Sequence, residues 1–253
     1  VRYFFVKPDH VTEAELVLQQ ETAHHIRNVL RKKPGDILHV SDGVAVLYQV
    51  VIEGFSKGEV HCSIQEKSPL ADPPVPRVTL LSSLPKGSRM DWLVQKATEV
   101  GVAEIMPITM NRSVREIASK KVDHWMRRWE KIAVAAAAQS GRAEFPVFHP
   151  PRPFAEALRC LENVPVKIFA DREGERSLLH DLVRSFPSPD RISVLVGPEG
   201  GMTPEEKAHL LQAGHIPVTL GETVLRVETA GILAVALLRY AWGEIPAAGK
   251  GRE

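Results

Sequence analysis

The chain has 253 residues, of which 44% are hydrophobic and 25% charged, with a formal net charge of +1; this excludes a long disordered tail and any nucleic-acid binding driven by bulk positive charge, leaving only local basic patches. Cys62 and Cys160 lie far apart with no metal-ligand spacing around them, which argues against a disulfide framework or a zinc site and for a reducing compartment. No apolar stretch of signal-peptide type follows the first residues, and the longest apolar run, Ala230 to Ala241, is short and contains Arg239, so a soluble cytoplasmic protein is expected.

In chain order, Tyr3 to Val6 reads as a first strand and Ala23 to Leu30 as a short helix with Ile26, Val29 and Leu30 on its apolar side. Asp36 to Ser41 and Val44 to Ile52 flank Asp42-Gly43, a hairpin signal. Ser56-Lys57-Gly58 marks another turn before the strand Val60 to Ile64. Such a run of short strands predicts a small β-barrel over residues 1–70. The segment Pro69 to Pro76 holds four prolines in eight residues; it cannot join a helix or a central strand, and the domain boundary is placed there, with a linker over 71–76.

Beyond the linker, strands and helices alternate. Val78 to Ser82 predicts a buried strand and Ser88 to Val100 a helix, with Met90, Leu93, Val94 and Ala97 in one stripe, Ser88 and Asp91 as a capping pair and Gly101 as the stop. Ile105 to Ile108 is the next strand, and Lys120 to Ser140 the strongest helix, ended by Gly141. On it, the helical spacing of Trp125, Met126 and Trp129 reads as core packing rather than a stacking platform. Strand Val166 to Ala170, helix Leu178 to Val183, strand Ile192 to Val196, a helix capped by Thr203-Pro-Glu-Glu206, strand Val218 to Leu220 and the buried helix Ala230 to Ala241 follow. This pattern predicts an α/β domain over 77–245, a parallel sheet covered on both faces, with a flexible tail at 246–253. Ligands of such sheets bind outside the carboxyl ends of the strands.

Three strand ends therefore matter: Phe169-Ala170-Asp171, Gly197-Pro-Glu-Gly-Gly201 and Leu220-Gly221. A glycine-rich loop leaving a buried strand lets bare backbone approach a ligand, although a tight strand-to-helix turn explains the same residues. No phosphate loop and no GxGxxG is present. Arg226, Glu228 and Thr229 precede the last buried helix, where Glu228 or Thr229 as N-cap is the plain account.

Taken together, Gly197-Pro-Glu-Gly-Gly-Met-Thr203 and Leu220-Gly-Glu-Thr-Val-Leu-Arg-Val-Glu-Thr-Ala230 resemble the signature of the SPOUT, or trefoil-knot, methyltransferases. More narrowly, the chain resembles the RsmE family, which forms N3-methyluridine in small-subunit rRNA. Arg2-Tyr-Phe-Phe5, His24-His-Ile-Arg-Asn-Val-Leu-Arg31, Lys86 to Gly101 and Gln139-Ser-Gly-Arg142 carry the resemblance over nearly the whole length.

The resemblance implies a PUA-like RNA-binding barrel followed by a knotted parallel-sheet domain, a homodimer, and S-adenosylmethionine as the cofactor, with 16S rRNA or the small ribosomal subunit as partner and no metal. It implies that Phe169, Ala170, Gly197, Glu199, Gly200, Leu220, Gly221, Leu225, Arg226, Thr229 and Ala230 line the cofactor pocket. The acceptor would be uracil N3 in the decoding region, an imide whose proton must leave. Arg226 is the candidate to stabilise the uracil anion, and Glu199 and Glu228 are candidate bases. RNA contacts are expected from Arg27, Arg31, Lys32 and Lys33, and from Lys86, Arg89, Arg112 and Arg142, although basic residues on a surface are more often merely solvated. Two other readings stay open: a SPOUT enzyme acting on another RNA or base, and a non-catalytic RNA-binding or ribosome-assembly protein.

Overall fold

The computed structural model describes residues 2–70, 76–85, 87–113, 119–172, 177 and 179–242. Most of the proline-rich linker, Lys86, Leu178 and the tail from 246 lie outside the described residues, as do the side chains of residues 119–121. The chain divides into two compact units, Val1–Pro73 with Val134–Phe145, and Pro74–Ala133 with Pro146–Glu253.

The first unit is built on strands β1 (Tyr3–Phe5), β2 (Glu15–Gln19), β3 (Ile37–Ser41), β4 (Val46–Ser56) and β5 (Glu59–Pro69). They form one sheet in the order β1-β3-β4-β5-β2, antiparallel except for β1 beside β3. Leu16, Leu18, Leu38, Val40, Val50 and Ile52 alternate along their strands and close a core with Ala23 and Ile26. The latter two come from helix α1 (Gln20–His24) and the π-helical turn His25–Val29 that continues it.

The helix thus starts three residues before the expected Ala23. The unforeseen β2 carries an alternating buried pair, Leu16 and Leu18, in too short a run to stand out. At the expected hairpin, Asp42 Oδ1 accepts from the amides of Val44, Ala45 and Val46, and Gly43 sits at φ +81°. Those bonds hold residues 44 and 45 out of the ladder, so β4 begins later than the apolar run does.

The second unit places β6 (Arg77–Ser83), β7 (Glu104–Thr109), β8 (Val147–Phe148), β9 (Arg152–Pro153), β10 (Val166–Ala170), β11 (Arg191–Val196) and β12 (Ile216–Val218) in one parallel sheet. The order is β12-β10-β11-β6-β7-β8, with β9 also on β7. Helices α2 (Arg89–Glu99), α3 (Ser119–Ser140), α5 (Leu179–Ser185) and α7 (Val227–Ala241) supply Leu93, Trp129, Leu182, Ala234 and Leu238 to one apolar layer with Leu80, Ile168 and Val194. Helices α4 (Phe154–Cys160) and α6 (Pro204–Gln212) supply Phe154, Ala157 and Leu210 to another, with Leu81, Phe169 and Leu195. Consecutive residues Leu80/Leu81 and Val194/Leu195 enter opposite layers, as the period of two requires when both faces are covered. Among the described residues, no helix is long and apolar enough to cross a membrane.

The short elements β8, β9 and α4 were not foreseen, α7 begins at Val227 rather than Ala230, and further details depart from the sequence reading. Ser88 makes no side-chain cap; Asp91 instead takes the Arg128 guanidinium in a two-pronged contact with a closest approach of 2.7 Å, because a charge-assisted fork outweighs a neutral cap. Arg226, not Glu228 or Thr229, is the N-cap of α7. Strand β12 ends at Val218, which releases Leu220 into a loop.

At the amino ends of the strands, Glu104 accepts from His149 Nε2 at 2.7 Å and pairs with Arg191 at 3.1 Å. The His149 hydrogen bond, with Arg191 and Arg77 nearby, holds the Glu104 carboxyl below its ordinary value against the opposing effect of burial. A depressed carboxylate stabilises the fold above its unfolded-state value, and that contribution disappears as pH falls through the folded one. Glu104→Gln is therefore expected to lower the melting temperature at pH 7 and to leave it nearly unchanged at the acid end of the titration. Equal losses at both ends of a pH series of melting curves would refute the assignment.

Candidate cofactor and substrate site

The carboxyl ends of β10, β11 and β12 open onto a cavity of about 260 Å³, close to the lower end of the roughly 300–1,000 Å³ usual for small-molecule sites. Three segments build its wall: Ala170 to Arg172 after β10, Val196 to Met202 after β11, and the loop between β12 and α7 with Leu220, Gly221 and Leu225. Val227 and Ala230 close it from the first turn of α7.

The loop after β11 is held from several sides. Thr203 and Glu206 form a reciprocal capping box at α6, and Glu206 Oε1 also accepts from the Asn111 amide at 2.8 Å. Arg112 Nη1 donates to the Gly200 carbonyl at 3.0 Å. Lys207 on α6 pairs with Asp171 at 2.9 Å, tying the end of β10 to the same helix. A Cβ on Gly200 would meet the Arg112 side chain at 3.2 Å, and one on Gly197 would meet Met202 at 2.9 Å; bare backbone is what lets this loop close. Gly221 differs, with φ +121° and open space where a Cβ would stand.

Charge is concentrated at one end. Arg89, in the first turn of α2, pairs with Glu199 at 3.1 Å and lies 3.8 Å from Glu228. Glu228 is buried, and its Oε2 has no partner among the described residues. In the first turn of α6, the Glu205 carboxyl is held below its ordinary value by its own backbone amide and the Thr203 hydroxyl.

Of the residues expected in the pocket, Ala170, Gly197, Glu199, Gly200, Leu220, Gly221, Leu225 and Ala230 lie on the wall. Phe169 does not. It is 1% exposed in the layer under α4 and α6, because a strand that turns Ala170 to the cavity turns its neighbour away. Arg226 and Thr229 are exposed beside the wall rather than on it. Sequence reasoning missed Asp171 and Lys207 as wall residues; Asp171 was legible as a strand end, whereas Lys207 reaches the wall only through the docking of α6.

The expected RNA-contacting residues are dispersed. In the first unit, Arg27, Arg31 and Lys33 are exposed, Lys32 lies 3.9 Å from Asp36, and Arg142 is largely buried against Glu144 at 3.3 Å. Arg31 takes a left-handed backbone, φ +53°, which is uncommon outside glycine and clusters at functional sites. In the second unit, Arg112 is exposed and Arg89 is engaged by its two carboxylates. Lys86 lies outside the described residues.

The site fits S-adenosylmethionine on its own chemistry. Leu220, Leu225, Val196 and Val227 offer apolar surface for a heterocycle, and glycine backbone offers amides and carbonyls at close range.

Comparison with known proteins adds to this geometry. A family model described as an RNA methyltransferase domain matches residues 71–239, and one described as an RNA methyltransferase PUA domain matches residues 18–65. The chain is 32% identical over 225 residues to ribosomal RNA small subunit methyltransferase E of Bacillus subtilis, covering 87% of this chain and 88% of that one. It is 31% identical to the protein of the same name from Mycobacterium bovis, covering 94% and 92%. Among solved structures, ribosomal RNA small subunit methyltransferase E of Neisseria gonorrhoeae bound to S-adenosylmethionine superposes with a TM-score of 0.81 at 28% identity, over 95% of this chain and 98% of that one.

Proposed function

Because the chain belongs to the RNA methyltransferase family, we propose that it transfers the methyl group of S-adenosylmethionine to N3 of a uridine in small-subunit ribosomal RNA. The observation that carries the reading is the glycine-walled cavity at the carboxyl ends of β10, β11 and β12. In this reading the residues on its wall hold the cofactor, whose sulfonium supplies an electrophilic methyl group.

The chain's own task is to present uracil N3 as a nucleophile. Arg226 stands exposed at the N-cap of α7, directly after the wall residue Leu225. Its guanidinium hydrogen-bonds the uracil carbonyl that gains charge as the proton leaves. Glu199, on the wall, is the carboxylate placed to take that proton; Glu228, buried off the wall and facing Arg89, orients the pair. A uridine in folded RNA must be unstacked to enter.

The resemblance to the SPOUT methyltransferases further supports a trefoil knot in the second unit, a PUA-like barrel over residues 1–70, a homodimer, and action in the cytoplasm. Saturable binding of S-adenosylmethionine and incorporation of its labelled methyl into small-subunit RNA, with N3-methyluridine identified by mass spectrometry, test the whole reading. Binding without incorporation would favour the ribosome-assembly alternative, and a different modified base would favour another SPOUT activity.

The exposed basic run gives a separate expectation. Replacing Arg31, Lys32 and Lys33 together with alanine should weaken RNA binding and reduce the slope of log affinity against log salt by about two to three, from roughly one counterion released per lost contact. An unchanged slope removes this patch from the footprint.

A further inference from the structure

The face of the first unit's sheet turned away from its core carries a row of side chains that the methyl-transfer site does not use. Backbone pairing sets Tyr3 opposite His39, His39 opposite Gln49, and Gln49 opposite Glu66, across four adjacent strands. Directly paired residues project to the same face. Here that face is the one opposite Phe4, Leu38, Val40 and Val50, which are buried in the core.

Glu66 joins the row because of a register shift. Val60, Cys62 and Ile64 of β5 face the core, and strict alternation would send Glu66 after them. The pairing changes from Val50–Ile64 to Gln49–Glu66 across a bulge, which turns Glu66 and Ser68 outward; re-aiming a side chain is what bulges do. The result is a second cavity, of about 100 Å³, lined by Tyr3, His39, Leu47, Gln49, Glu66 and Ser68, and by Tyr48, which also packs against the core. Among the described residues, no hydrogen bond or ion pair engages the side chains of Gln49 or Glu66, while Tyr3 and His39 meet edge to face at 6.4 Å.

We propose that this cavity binds one unpaired guanine of the RNA substrate; the proposal rests on the RNA reading above. The volume suits a single base rather than a whole nucleotide. No lysine or arginine lines the cavity, so it holds no phosphate, and its occupant is a base whose backbone is gripped elsewhere. Two aromatic rings offer a π surface for stacking. His39 and Glu66 stand two strands apart, about 10 Å, the span of a bicyclic base with its hydrogen bonds. A carboxylate only accepts, and guanine alone presents two adjacent donors, N1–H and the N2 amino group, on one edge. Cytosine and adenine each set an acceptor beside their amino group, and uracil flanks its single N–H with two acceptors.

The test uses the full chain and four fluorescein-labelled RNA pentamers, UUGUU, UUAUU, UUCUU and UUUUU, read by fluorescence anisotropy at one salt concentration. The guanine pentamer is expected to bind about tenfold tighter than the others, the scale of one bidentate base contact. Glu66→Gln is expected to abolish that preference while leaving the other three affinities unchanged. Glu66 is exposed, and an unchanged far-UV spectrum of the variant checks its fold. Equal binding of all four pentamers, absence of binding, or a guanine preference that survives in Glu66→Gln would each overturn the proposal. S-adenosylmethionine binding and methyl incorporation, measured on the same samples, report the active-site reading separately. Loss of those signals in the wild-type chain would sink that reading and not this one.

Discussion

Arg226→Ala is expected to lower kcat by about 10²–10³-fold, the scale of one lost donor to a developing anion, while S-adenosylmethionine affinity stays within about twofold. The side chain has no evident structural task. It is exposed, makes no cap hydrogen bond, and forms no ion pair with any described residue. What caps the helix is its backbone: the Arg226 carbonyl accepts from the Ala230 amide at 2.8 Å, a bond that alanine keeps. A cation at a helix N-terminus also opposes the macrodipole, at a cost of about 0.3–1 kcal/mol when exposed. Removing it should leave the fold as stable or slightly more so. A residue that costs stability and pairs with no described side chain fits the role proposed for it, meeting an anion during the reaction. Arg226→Lys keeps the charge but not the planar fork, and should recover only part of the rate. The assignment fails if single-turnover kinetics at saturating cofactor show normal rates for the alanine variant, or if its defect lies wholly in cofactor binding.

Gly221→Val is expected to weaken S-adenosylmethionine binding by about 10–100-fold, which corresponds to roughly 1–3 kcal/mol of backbone strain. Gly221 holds φ +121°, a conformation that a β-branched residue essentially does not adopt. It belongs to the loop between β12 and α7, where the Thr219 hydroxyl accepts from the Gly221 amide at 3.2 Å. Substitution should displace Leu220 and Leu225 from the wall without reaching the apolar layers of the sheet. Calorimetric titration should show the loss, and thermal unfolding without cofactor should move little. Unaltered affinity would mean that this loop does not touch the cofactor.

Much of this was legible in the chain itself. The stripe Met90, Leu93, Val94 and Ala97, the Thr203–Glu206 capping box and the apolar run of α7 each carry their signal within a dozen residues, at the period of their own element. The wall residues Ala170, Gly197 and Leu220, at or just beyond the ends of β10, β11 and β12, were legible in the sequence, because a parallel sheet gathers its carboxyl ends on one side. The wall residue Lys207 had no such signal: it arrives through the packing of α6 against the end of β10. Phe169 was misplaced because a strand buried on both faces gives no alternation from which to choose its inward side.

The sequence by itself determined the long, strongly periodic strands and helices, that the second half is a covered parallel sheet, and which glycines stand at its ligand-binding edge; the short elements β2, β8, β9 and α4 it did not show. Only the tertiary structure decided which side each strand residue faces, that Arg89 is held by Glu199 and Glu228, and that a bulge turns Glu66 onto the Tyr3–His39–Gln49 row. The physical reason is range: periodicity and capping act within a few residues along the chain, whereas ion pairs and register join residues that only the folded backbone makes neighbours.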